Sequence, residues 1–185
     1  RGVSVHRKSC PNASELLSEP ERIIEVEWDA GSKATYQVEI FIEALDRFPE
    51  ERAKLETLRN LIRNAANFKN AIIFCNRKRE VATLHRSLVR HKFNAVALHG
   101  DLDQSARTAA LDAFRRGDAK LLIASDVAAR GLDIPDVSHV LNFDVPHHPD
   151  DYIHRIGRTG RAGKSGIAIT IATSADSRSV AAIEK

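Results

Sequence analysis

Residues 71–100 read AIIFCNRKREVATLHRSLVRHKFNAVALHG. AIIFC (71–75) is a short apolar run that stops abruptly at charge, which predicts a buried strand. Val81, Leu84, Leu88 and Val89 then recur at helical spacing. AVAL (95–98) is the next strand candidate. Strand, helix and strand in succession are the unit of a parallel sheet, because returning to a parallel neighbour requires a long crossover.

Outward from this unit the alternation continues. Leu111 and Phe114 lie on a predicted helix that ends near Gly117. LLIAS (121–125), HVLNF (139–143) and GIAITIAT (166–173) are further strand candidates. Asp150 to Ile156 reads as a short helix and Ala175 to Glu184 as a last one. Toward the N-terminus, PEERAKLETLRNLIRNA (49–65) sets Leu55, Leu58, Leu61 and Ile62 at helical spacing behind Pro49 and two glutamates. Ile23 to Val26 and Tyr36 to Ile42 read as short strands. The first ~20 residues are polar without a clear period and are expected to be a tail, an expression remnant or the end of a preceding domain. The folded domain is expected over 21–185. Apolar strands alternating with helices predict an α/β domain, a doubly wound parallel sheet with helices on both faces.

Composition bounds what such a domain does. The chain has 185 residues, 43% hydrophobic and 29% charged, an ordinary balance for one globular domain. No apolar run approaches the ~18 residues of a membrane helix, and no secretory segment opens the chain. Cys10 and Cys75 form neither a disulfide framework nor a zinc spacing, so a reducing, cytoplasmic setting is expected. A net charge of +3 means that any nucleic-acid surface must be local. The chain contains no methionine, so a piece of a longer protein is expected.

In doubly wound sheets the ligand crevice lies outside the carboxyl ends of the strands. The segments that follow the strand candidates are CNRK, HGDLDQSAR, SDVAARGLD and DVPHHPDDYIHRIGRTGR. All are polar, charged or Gly-rich, so one edge of the sheet collects the unusual chemistry. In HRIGRTGR, Arg155, Arg158 and Arg161 recur every three positions and would share roughly one face of a short helix. Guanidinium forks suit phosphate oxygens, and neighbouring glycines let backbone amides approach an anion. The GKS at 163–165 imitates the end of a phosphate-binding loop, but Arg158 stands where that loop needs glycine, and a strand follows where a helix should. His147, His148 and His154 lack the spacing of a metal site. No dinucleotide-binding GxGxxG is present.

In combination these segments resemble the C-terminal RecA-like domain of a DEAD-box ATP-dependent RNA helicase, with a bacterial origin expected. AIIFCNRK resembles motif IV, HGDLDQSAR the QxxR element, SDVAARGLDIPDV motif V, and HRIGRTGR motif VI. The resemblance is strong over about 70–184 and does not cover 1–20. It implies a RecA-like fold and assigns roles by position. Arg158 and Arg161 match arginine fingers that reach the ATP γ-phosphate, with His154 beside them as a link to the other lobe. Asp133, with Gly131 two residues before it, matches the acid that meets the ATP ribose. Arg130 matches an interdomain residue. Asn76, Gly100, Gln104, Arg107 and Ser125 match the RNA backbone path. Asn76-Arg77 stands where Asn-Thr is frequent, and Ser125 where threonine is frequent.

The implied partners are RNA, gripped without base specificity, and an N-terminal lobe carrying a phosphate-binding loop and the Mg²⁺ ligands for ATP. No metal site and no membrane contact are expected on this chain. Arg155 is expected to be an internal control, at which Arg155→Lys costs far less than Arg158→Lys. Helical geometry turns it about 60° from Arg158, and the resemblance gives it no phosphate contact. A second reading, from a different class, is a non-catalytic RNA-binding or partner-docking module on the same fold. Arg158, Arg161 and Asp133 argue for the first reading, because a pure RNA binder needs none of them.

Overall fold

The apolar runs lie side by side in one six-stranded parallel sheet of order β1-β6-β5-β2-β4-β3. The strands are β1 (Val38–Leu45), β2 (Ala71–Cys75), β3 (Ala95–Leu98), β4 (Leu121–Ser125), β5 (His139–Asn142) and β6 (Gly166–Thr173). The helices are α1 (Glu50–Asn64), α2 (Lys78–Arg90), α3 (Gln104–Arg116), α4 (Asp126–Ala129), α5 (Pro149–Ile156) and α6 (Ser177–Ile183). The structure is a computed structural model and describes residues 38–45, 50–129, 137–160 and 165–184. The expected strand at 23–26 and the 1–20 segment lie outside these residues.

Alternation along the strands divides the core in two. Ile73, Cys75, Ile123, Leu141, Phe143, Ile169 and Ile171 point to one face, where Leu58 and Ile62 of α1 and Val81, Leu84 and Leu88 of α2 cover them. Ile72, Phe74, Leu122, Ala124, Val140 and Ala168 point to the other, under Leu111 and Phe114 of α3 and Ala128 and Ala129 of α4. Each fully buried Leu, Ile or Phe contributes about 1.5–3 kcal/mol. Central strands wet on neither face explain why their sequences are continuous apolar runs.

Local chemistry sets the helix ends. The Asp103 carboxylate accepts the Ala106 amide at 2.7 Å and starts α3. Gly117 closes α3 in the left-handed region at φ 79°. Two elements differ from expectation. DVAA, expected within a loop, forms the single-turn α4, and four residues are too few to show a helical period. The last helix starts later than Ala175. Thr173 donates its amide and hydroxyl to the Asp176 carboxylate at 2.9 and 2.8 Å, which fixes a 3₁₀ turn over Ser174–Asp176 before α6 begins.

The strand order places the functional edge. From β2 the chain moves toward β4 and β3, whereas from β5 it moves the other way, to β6. The connections diverge outside the carboxyl ends of β2 and β5, where an open α/β sheet forms its crevice.

Candidate functional site

One guanidinium occupies that crevice. Arg155, near the end of α5, is 1% exposed and lies among the loops that leave β2, β4 and β5. Its Nε and Nη2 donate to the two carboxylate oxygens of Asp126 at 2.7 and 2.6 Å. Nη2 also donates to Asn76 Oδ1 at 2.7 Å. Nη1 donates to the Asp144 carbonyl at 2.8 Å and to Asn142 Oδ1 at 3.4 Å. The plane sits over the Phe74 ring, 5.3 Å from its centroid. Five N–H donors thus meet five acceptors, the full capacity of an arginine. Removing one partner from a buried ion pair of this kind costs about 3–5 kcal/mol. Arg155 is therefore a buried structural residue, and as a control for Arg158 it separates phosphate contact from a cost in stability. Helical phase turned it away from Arg158, but toward the sheet edge and not toward water.

Arg155 and Arg158 also do not share one helical face. Arg155 is helical, whereas Arg158 lies beyond the end of α5 in a turn. Its amide donates to the Arg155 carbonyl at 3.1 Å, and its own carbonyl accepts the Val137 amide at 3.2 Å. The half-buried Arg158 side chain lines a shallow pocket with Asp126, Ala129, Asp151, His154 and Phe74. His154 is exposed on α5 and lines the same pocket, so two of the predicted site residues are brought together. Arg130, Gly131, Asp133 and Arg161 lie outside the described residues. The permissive backbone is needed at two points here. Gly160 adopts φ 69°, and a Cβ on Gly166 would overlap the Thr159 side chain and the Gly160 amide.

The residues matched to an RNA path occupy neighbouring loops and element ends. Gln104 is exposed on the first turn of α3. Arg107, one turn on, donates to the Ala128 carbonyl at 3.4 Å and so links α3 to α4. Ser125 ends β4, 8% exposed, directly before Asp126. Gly100 is exposed with open space around it. Asn76 is engaged internally. Beyond its bond from Arg155, its Nδ2 donates to the Val145 carbonyl at 2.9 Å and lies 3.4 Å from His147 Nε2. Its amide donates to the Asp144 carboxylate at 3.0 Å.

Asp144 is the second acid of the cluster. Its other oxygen is 3.3 Å from Lys54 Nζ, and Lys54 also lies over the Phe143 ring at 5.5 Å. Partial burial, then the charge of Asp144, pushes the Glu80 carboxyl above its ordinary value. Burial first, then the charges of Asp144 and Glu80, pushes the Cys75 thiol well up. Sequence reasoning did not single out Asp126, Asn142 or Asp144. The available signal was an acid placed one or two residues after a buried strand, on an edge otherwise crowded with cations.

Comparison with known proteins places this arrangement. The model of the helicase conserved C-terminal domain matches residues 53–163. A RelA/SpoT RIS domain model matches residues 1–29, a short stretch outside the described residues. The chain is 47% identical over 131 residues to the ATP-dependent RNA helicase RhlB of Pseudomonas putida, covering 71% of this chain and 33% of RhlB. It is 39% identical over 161 residues to the ATP-dependent RNA helicase DBP3 of Candida albicans, covering 87% of this chain and 28% of DBP3. The chain therefore spans a quarter to a third of these relatives' length. Among solved structures it resembles the Escherichia coli DEAD-box protein SrmB in its complex with RraA, with a TM-score of 0.73 and 34% identity over 80% of this chain and 85% of that one. It also resembles the C-terminal domain of the DEAD-box protein Dbp5, with a TM-score of 0.70 and 33% identity over 80% and 84% of the two chains. The chain belongs to the helicase conserved C-terminal domain family and is the RecA-like C-terminal domain of a DEAD-box protein.

Proposed function

We propose that this domain is the C-terminal lobe of an ATP-dependent RNA helicase, which completes an ATP site and an RNA site when an N-terminal lobe closes against it. The observation that carries this reading is the convergence at the sheet's carboxyl edge. Arg158 and His154 line one pocket with Asp126 and Ala129, which adjoin Ser125 and the Arg107 contact to Ala128, and Asn76 is bonded to Arg155 behind it. A guanidinium at the rim of an open pocket fits a phosphate, because its planar fork matches the oxygens and never loses its charge. ATP, with Mg²⁺ held by the other lobe, supplies the phosphoryl group for transfer to water. Arg158, together with Arg161, stabilises the charge that develops on it. His154 and Arg130 make the contact between lobes, and Asp133 with Gly131 meets the ribose.

RNA is held through its backbone. Tyr152 and Phe143, the aromatics of these loops, are 6% and 5% exposed and so offer bases no stacking platform. Gln104, Arg107, Ser125, Gly100 and the loop at Asn76 then contact phosphates and 2′-hydroxyls, which carry no base information.

The test is reconstitution. This chain, mixed with a DEAD-box N-terminal lobe, is expected to give RNA-stimulated ATP turnover that neither part gives alone. Arg158→Lys keeps the charge but loses the fork, and should lower that turnover on the order of 10³-fold with ATP affinity changed much less. A mixture no more active than the N-terminal lobe alone would overturn the reading and leave an RNA-binding or docking module.

A further inference from the structure

We infer that the outward face of α2 is a second RNA surface, along which a strand continues after it leaves the crevice. The inference rests on the proposed function and extends its RNA path away from the sheet edge. Charge is concentrated there. Residues 77–92 hold six basic side chains, Arg77, Lys78, Arg79, Arg86, Arg90 and Lys92, against one acid, Glu80. The whole chain carries only +3, so its other residues together are net negative. Helical geometry then gathers the charge. At about 100° per residue, Arg79, Arg86 and Arg90 fall within about 40° of one another. They stand opposite Val81, Leu84 and Leu88, which are buried in the core. All three arginines are exposed, as is Lys92 just beyond the helix.

These cations lack counter-charges. Arg77 and Lys78, at the start of α2, are balanced by Glu80 at 3.8 Å and Asp101 at 2.8 Å. The cations that end α3 are balanced likewise, Arg115 by Asp112 at 3.5 Å and Arg116 by Asp118 at 2.8 Å. Among the described residues no carboxylate pairs with Arg79, Arg86, Arg90 or Lys92. A solvated helix face ordinarily interleaves the two signs, because like charges four apart, as at Arg86 and Arg90, repel. The neighbouring α1 does so, with Glu56 between Arg52 and Arg59. A row of one sign calls for a polyanion, and position selects which. α2 begins two residues after Asn76, where the proposed RNA path lies, and leads away from that edge. From Arg79 to Arg90 the row extends about 16 Å. A strand that passes the Asn76 loop therefore runs onto guanidinium forks that suit its phosphates. The row holds no aromatic ring, so this grip carries no base preference.

The experiment measures binding of this chain to two oligouridylates, one of about 8 nucleotides that fills the crevice alone and one of about 24 that reaches beyond it. It compares the parent, the variant Arg79→Gln/Arg86→Gln/Arg90→Gln, and a control that removes equal charge elsewhere, Arg52→Gln/Arg115→Gln/Arg116→Gln. The α2 variant should lose about tenfold on the long RNA at low salt and less than about twofold on the short one. Its salt slope on the long RNA should fall by about 2, three contacts at about 0.7 each. The control should keep the parent's slope on both lengths. Glutamine at exposed helix positions preserves the helix, so melting temperature should hold. If the triple variant does not fold, Arg86→Gln alone decides, with a slope lower by about 0.7 on the long RNA only.

Long-RNA binding equal to the parent's overturns the inference and leaves the proposed function standing. If sedimentation then shows that the parent self-associates and the α2 variant does not, the face is a contact between copies of this chain. Equal losses in the α2 variant and the control also overturn it, because they reduce the row to its share of the net charge. A parent that binds neither RNA overturns the RNA site of the proposed function, and the inference with it.

Discussion

Cys75 and His139 mark the two ends of the buried sheet, and each has a testable charge state. Cys75 closes β2 at 0% exposure, and burial with two nearby carboxylates holds its thiol well above the ordinary range. The thiolate is the reactive form. In a Cys10→Ser background, native Cys75 should react with a disulfide reagent only as fast as the domain opens, and at once in denaturant. Rapid native labelling would contradict the burial. His139 begins β5 at 1% exposure, with Nδ1 2.9 Å from the Ser138 hydroxyl, its ring against Phe68, and Nε2 without a hydrogen-bond partner among the described residues. Burial lowers its pKa below the ordinary 6.5. The unfolded chain then takes up a proton that the folded chain resists, so the contribution is full above 6.5 and is lost as pH falls through the depressed value. Melting temperature should drop between pH 7 and 5, and His139→Gln should flatten that slope. A parent and variant with parallel pH profiles would refute it. The burial of Cys75 was legible in the apolar run AIIFC, but its neighbouring carboxylates and the burial of His139 were not, because they depend on which strands become neighbours.

Elements were easier to read than environments, and the reason is physical. β2, β4 and β6 are covered on both faces, so their sequences are apolar throughout and their limits stand out: AIIFC, LLIAS and GIAITIAT coincide with the observed strands. The predicted helix end at Gly117 also holds, because that residue alone takes the left-handed cap of α3. Elements governed by side-chain capping or by a single turn, such as α4 and the delayed start of α6, left no periodic signal. The arginine-rich stretch failed for a related reason. Spacing of three gives a phase along a helix, but α5 ends at Ile156, and its inward side was set by the sheet edge. The caps of α3 give a test at this scale. Asp103→Ala removes the bond to the Ala106 amide and should cost about 1 kcal/mol. Gly117→Ala forces a Cβ into the left-handed region and should cost about 1–2 kcal/mol. Urea denaturation should show both as lower midpoints with an unchanged slope. A midpoint equal to the parent's would mean that the helix end is held by packing alone.

At the scale of the whole molecule, a parallel sheet delivers every strand's carboxyl end to one edge, so residues far apart in sequence meet there. Asn76, Asp126 and Asp144 come from three separate segments and converge on the guanidinium of Arg155. That convergence follows from topology, and the alternation of strands and helices announced it. What the lobe offers by itself is cationic and polar surface without a phosphate cradle among the motifs of its sequence. The chain alone is therefore expected not to hydrolyse ATP above an Arg158→Ala control. It is expected to bind single-stranded RNA weakly, with log affinity falling against log salt at about −0.7 per phosphate contact. Arg107 combines one internal bond at 3.4 Å with a half-exposed side chain at the start of α3, next to exposed Gln104. Arg107→Ala should reduce the salt slope by about 0.7 and weaken different RNA sequences equally, because a lost phosphate contact removes charge and no base information. Titrations of two unrelated RNA sequences over a range of salt decide the matter. An unchanged slope would remove Arg107 from the RNA path, and a loss confined to one sequence would show that this edge reads bases.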